Sequence, residues 1–150
     1  MPMPRTRPER KKDTLLRLEN DVDAWVATAG VDGEGPCMVP LSFLWDGETL
    51  LISTAAASPT ARNLLADPRV RIGVGLTRDV VLIDGTAQTV RPGELSQETG
   101  DAFAAKTGFD PRTLSSPYLY FRVRPVWVRA WREEDELAGR DLMREGRWLD

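Results

Sequence analysis

The chain is 150 residues long, 41% hydrophobic and 29% charged, with a formal net charge of −3; this is one globular domain, large enough to bury roughly 70% of the surface its unfolded chain exposes. Acids and bases are interspersed, which leaves no concentrated basic face for nucleic acid, and no apolar run approaches the roughly 18 residues of a membrane span. Histidine is absent and Cys37 is the only cysteine, which excludes Ser-His-Asp hydrolysis, a Cys-His protease, His- or thiolate-held zinc and any internal disulfide.

Residues 1–8 are rich in Pro and Arg and read as a solvated arm, without the apolar segment of a secretory signal. Glu9–Asn20 reads as a helix whose apolar side is Leu15, Leu16 and Leu18. The period then changes to two. Trp25–Ala29 is a first strand, closed by a turn over Val31–Gly35. Met38–Trp45 is a second strand, in which Pro40 requires an edge position or a bulge because it cannot donate to a ladder. Asp46-Gly47 turns the chain into a third strand, Glu48–Thr54. Three strands joined by Asp-Gly turns are an antiparallel meander.

Ser58–Ala66 is a short helix with Ser58 as N-cap and Pro59 at its first position, stopped by Asp67-Pro68. Val70–Gly75 and Val80–Val90 are strands, the second bent at Asp84-Gly85. Leu95–Thr107 is a helix with Phe103 on its apolar side and Gly108 as C-cap, followed by a loop over Phe109–Pro117. Tyr118–Val123 and Val126–Trp131 are the last strands, and Pro125 either breaks them apart or marks a bulge. In the final strand Val126, Val128 and Ala130 share one face, and Trp127, Arg129 and Trp131 the other. Residues 133–150 form a charged tail, but a solvated tail rarely carries a residue such as Trp148, so it should dock on the barrel or on a partner subunit. Six or seven antiparallel strands with short helices inserted point to a small β-barrel at residues 9–132, since closure removes exposed edges.

With no histidine and no metal-binding motif, hard chemistry would fall to a bound organic cofactor. The best constellation for one is Ser53–Asn63. There a strand ends in small residues and a helix begins, with free backbone N–H groups, the hydroxyls of Ser53, Thr54, Ser58 and Thr60, and the planar fork of Arg62. The same residues also read as plain helix capping by Ser58 with Arg62 on a solvated face. Cys37 reads as an inert thiol, Trp45 as packing and Arg78-Asp79 as an exposed ion pair.

Four stretches carry a resemblance: Trp25–Ala29 with its Asp32-Gly33 turn; Val39–Gly47; Leu51–Thr54; and Thr60-Ala61-Arg62-Asn63-Leu64 running into Asp67-Pro68-Arg69-Val70. In order and wording they resemble the pyridoxamine 5′-phosphate oxidase-like split barrels, including their actinobacterial flavin/deazaflavin oxidoreductase branch. The resemblance covers about residues 20–132. It implies a cytoplasmic homodimer that holds a flavin-type cofactor in a groove between subunits and passes hydride to a small planar organic substrate. The cofactor implied is FMN or, as the alternative, deazaflavin coenzyme F-420. On the matching positions Val39, Pro40, Leu41, Ser42 and Phe43 would line the ring. Ser53, Thr54, Ser58, Thr60, Arg62 and Asn63 would hold the phosphate end, and Trp127 or Trp131 would approach from the other subunit. Many relatives carry Lys where Thr60 stands and His where Cys37 stands. These departures open a second expectation, a non-catalytic binder of flavin, haem or a related ligand. The family's true oxidases place Arg and His around a Trp in their C-terminal substrate segment, a pattern that a chain without histidine does not meet.

Overall fold

A computed structural model of the chain describes residues 3–150; Met1 and Pro2, the start of the expected arm, lie outside it. Helix α1 (Arg7–Asn20) leads into strands β1 (Asp23–Thr28), β2 (Cys37–Trp45) and β3 (Leu50–Ala55). Helix α2 (Pro59–Ala66), strands β4 (Arg69–Leu76) and β5 (Asp79–Val90), helix α3 (Gln97–Thr107) and strand β6 (Tyr118–Trp131) follow. Strands β7 (Asp141–Arg144) and β8 (Arg147–Trp148) complete the chain. The fold is mainly β: β1-β2-β3-β6-β5-β4 close into a six-stranded antiparallel barrel, with β7 and β8 added beside β6. Among the described residues no helix is long and apolar enough to cross a membrane.

Period-two alternation sets the inside of the barrel. Val26, Phe43, Ile52, Ile72, Ile83, Phe121 and Val123 are wholly buried in one core. Leu18 of α1 and Ala61 and Leu64 of α2 join that core. Helix α3 lies elsewhere: Phe103 packs edge-on against Tyr120, ring centroids 5.6 Å apart, in a second cluster with Leu51 and Val90. Helix α3 therefore covers the outer side of β3, the first half of β6 and the end of β5, while Trp25 of β1 and Met38 of β2 stay exposed.

Local chemistry explains the boundaries. Helix α1 starts two residues before the expected Glu9, because Thr6 and Glu9 form a capping box. Pro40 is accommodated because β3 pairs with β2 only at Phe43–Trp45, which makes the first half of β2 a local edge. The two expected C-terminal strands are one, β6, and Pro125 sits at a register shift opposite Asp84 and Gly85. Gly85 is needed there, since a Cβ would lie 2.7 Å from the Arg124 carbonyl oxygen and 2.7 Å from Val123 Cγ1. Arg78 pairs with Glu133 rather than with its neighbour Asp79, which instead receives Arg17. Trp148 packs against the main core.

Candidate functional site

The strand pairings arrange the uncovered outer face as rows of side chains. One row runs Met38, Ala27, Arg71, Asp84, Trp127 across β2, β1, β4, β5 and β6. The adjacent row runs Pro40, Trp25, Gly73, Leu82, Arg129. Trp25 is 52% exposed and Met38 62% exposed, which is unusual for such residues on the broad face of a sheet.

Several concavities open on or beside this face. One, about 580 Å³, is lined by Ala27, Thr28, Ala29, Arg71, Asp84, Thr86 and Val126 among others. Its small walls admit a flat group, and its volume falls in the range of small-molecule sites. A second, about 530 Å³, is bordered by Trp127, Asp141 and Arg144. A third, about 250 Å³, lies between Trp25, Pro40 and Gly73.

The residues expected to line a ring divide by strand parity. Val39, Leu41 and Phe43 point toward the interior and Pro40 and Ser42 outward. Phe43 is wholly buried; its carbonyl accepts from Lys106 Nζ at 3.1 Å, and the ammonium lies 4.4 Å from its ring centroid. Burial pulls the Lys106 pKa below the usual lysine range. Ser42 donates to Asp23 at 2.7 Å.

At the expected phosphate corner most of the polar atoms are engaged within the chain. Ser53 donates to the Leu119 carbonyl at 3.0 Å. Thr54 and Ser58 share a hydroxyl hydrogen bond of 3.0 Å, and Ser58 also caps α2 by accepting from the Ala61 amide. Thr60 is 2% exposed, its hydroxyl 4.0 Å from the Cys37 sulfur. Asn63 is buried and donates to Thr28 at 3.0 Å, while its Oδ1 has no partner. Arg62 alone is open: it is exposed and holds Glu34 by one long contact of 3.4 Å. Through Thr28 this corner adjoins the 580 Å³ groove.

On β6, Trp127 and Trp131 are half-buried on the outer face as strand parity requires. Trp127 donates its indole N–H to Asp141 at 2.9 Å. Burial opposes ionisation of Asp141, but the hydrogen bonds from Trp127 and Arg144 prevail and hold its pKa below the usual range. Three charged residues of this face, Arg71, Asp84 and Arg129, were not among the site residues expected from the sequence. Arg71 makes a two-pronged pair with Asp84, at 2.6 and 2.9 Å, which raises the Arg71 pKa. Arg129 lies with its guanidinium carbon 3.7 Å from the Trp127 ring centroid and Nη2 3.6 Å from Asp84. Burial pulls the Arg129 pKa down while Asp84 resists it. Parity placed Arg129 beside Trp127, but nothing in the linear pattern joins either residue to Asp84.

Barrel, inserted helices, bare outer face and adjoining grooves define the class: a split barrel with one side of its sheet left uncovered. Residues 17–132 match the sequence pattern of the family described as pyridoxamine 5′-phosphate oxidase, and the chain belongs to that family. No curated protein matches it. Solved structures that are similar include an F420 reductase, with TM-score 0.61 and 22% identity over 75% of this chain and 93% of that one. A FAD-binding protein from Mesorhizobium loti gives 0.61 and 23% over 78% and 90%. A haem-binding protein from Mycobacterium smegmatis gives 0.67 and 20% over 95% and 60%. At such identities these likenesses establish the fold.

Proposed function

We propose that the chain is a flavin-dependent oxidoreductase, working as a homodimer in the cytoplasm, that holds FMN or deazaflavin coenzyme F-420 between two copies and passes hydride to a small planar organic substrate. The observation that carries this reading is the uncovered outer face with the groove along it. A flat, partly apolar sheet face of this kind suits a second copy of the same chain. Along the row from Met38 to Trp127 the two lie four strand steps apart, roughly 19 Å along the sheet at the usual strand spacing. In this reading the β6 aromatic that meets a ring held on β2 comes from the partner copy.

The groove fits a flat group: Ala27, Ala29 and Thr86 keep its walls low, and Arg71 supplies charge for an anionic tail. Arg62 has the freest guanidinium at the α2 corner. The engaged hydroxyls of Ser53, Thr54 and Ser58 and the buried Thr60 leave backbone N–H groups and Arg62 as the anchors there. Such a cofactor supplies hydride chemistry when bound. The chain's part is to orient the ring on β2, exclude water with Trp127 or Trp131 of the partner, and neutralise the tail.

A second reading, a binder without turnover, is favoured by the burial of Thr60, whose hydroxyl is withdrawn from any ligand. One experiment separates the two. The purified chain is titrated with FMN and with F-420, and each complex is offered its reductant. Binding followed by bleaching and reoxidation by an acceptor supports the oxidoreductase, and binding without reduction supports the carrier. Failure to bind either cofactor removes both. Arg62→Ala should weaken binding by about 1–3 kcal/mol, the loss expected for a charged hydrogen bond, and unchanged affinity would take Arg62 out of the site.

A further inference from the structure

Arg129 is the least satisfied charge on the uncovered face. Its side chain is 13% exposed. Its Nε and Nη2 are buried and have no hydrogen-bond partner among the described residues. Asp84 is the nearest carboxylate, but at 3.6 Å it is beyond hydrogen-bond reach, and both of its oxygens are committed to Arg71. Asp141, paired with Arg129 across β6 and β7, is committed to Trp127 and Arg144. The guanidinium thus lies over the Trp127 indole, 3.7 Å from the ring centroid, with its Nε and Nη2 donors unspent.

Buried donors without acceptors are rare in folded proteins, because each carries the full cost of its lost hydration. Around this guanidinium Arg71, Arg140 and Arg144 stand against Asp84, Asp141 and Glu145, and the two aspartates already accept from Arg71, Trp127 and Arg144. Two grooves lie close by: Arg71 and Asp84 border the 580 Å³ one and Trp127 the 530 Å³ one, and Arg129 neighbours these residues in the strand register without itself lining either groove.

We propose that Arg129 anchors an oxyanion site, taking the carboxylate or phosphate group of a small ligand that lies on the outer face beside Trp127. Its planar fork matches two oxygens of such a group at once, which a lysine could not do. The site needs neither a flavin nor turnover, and it stands or falls apart from the redox reading.

The test uses the full chain without added cofactor. It is titrated with inorganic phosphate and separately with acetate, with chloride balancing ionic strength, while calorimetry and the arginine Nε–Hε resonances in nitrogen-15 spectra are followed. Saturable binding of at least one anion is expected, with one Nε–Hε resonance moving. Preference for phosphate or for acetate tells which group the natural ligand carries. Arg129→Gln should bind about tenfold more weakly or worse and lose that resonance. Arg129→Lys keeps the charge should the glutamine variant not fold, and it should also weaken binding about tenfold by losing the two-pronged contact. Arg78→Gln, on an exposed pair elsewhere, should bind as the wild type does. A wild-type chain indifferent to both anions overturns the proposal, as does undiminished binding by a folded Arg129 variant. A variant that dissociates a dimer while the wild type ignores both anions also overturns it, because the acceptor would then be a partner's carboxylate.

Discussion

Protonating Glu136 should unfasten the two ends of the chain from each other. Its side chain is 4% exposed and accepts four hydrogen bonds: from the Arg5 amide at 2.9 Å, Arg5 Nε at 3.0 Å, Arg5 Nη2 at 2.7 Å and the Arg132 amide at 2.9 Å. The Arg5 guanidinium is the main cause that brings the Glu136 pKa down from 4.5 to about 2, against the opposing effect of burial. That difference of about 2.5 units, at about 1.36 kcal/mol each, amounts to about 3 kcal/mol of stability. The folded-state pKa is depressed, so this contribution is full above about pH 4.5 and is lost as the pH falls toward 2, with most of it gone near pH 2.5. Urea unfolding of the wild type and of Glu136→Gln, from about pH 6 to about pH 2.5, isolates it. The wild type should start well ahead, and its advantage should shrink by about 2–3 kcal/mol across that range. Parallel pH profiles for the two proteins would refute the reasoning.

Four further outcomes are expected. Phe43→Ala empties a wholly buried site and should lower stability by about 3–5 kcal/mol in chemical denaturation. Gly85→Ala drives a methyl group into the Arg124 carbonyl and should destabilise by about 1–3 kcal/mol, with the amide shifts of Asp84 and Val123 moving most. Ser58→Ala removes the cap of α2 and should cost about 1 kcal/mol, read as a small drop in Tm. Trp25→Lys combined with Met38→Lys places two charges on the bare face; with copies pairing there as proposed, sedimentation should show a dimeric wild type and a monomeric variant of unchanged circular dichroism, and a variant that stays dimeric would mean that copies meet elsewhere.

Much of the fold was legible because it rests on local rules. Period-two alternation marked the barrel strands, Ser58-Pro59 the start of α2, Gly108 the end of α3, and Asp84-Gly85 the bend that lets β5 follow β6 past Pro125. The resemblance to the pyridoxamine 5′-phosphate oxidase family was carried by short words around Val39–Gly47 and Thr60–Val70, and residues 17–132 match that family. Where reading failed, the cause was distance along the chain. A start rich in Pro and Arg gives no sign that Arg5 meets Glu136, 131 positions away. Arg78 beside Asp79 looks like a pair, yet the strand end turns Arg78 toward Glu133 and Asp79 toward Arg17.

By itself, then, the sequence determined which residues alternate into and out of a barrel, where its turns fall, and that no histidine is available for chemistry. Those properties depend on backbone dihedrals and side-chain parity, which neighbouring residues set. Only the tertiary structure decided which half of the barrel's outside α3 covers and which half stays bare. It also decided that the α2 hydroxyls are spent inside the chain, and that Arg71, Asp84 and Arg129 converge beside Trp127. Those outcomes depend on strand register, which sets Arg71, Asp84 and Trp127 of three strands in one row with Arg129 in the next, and fixes which polar groups find partners and which are left open.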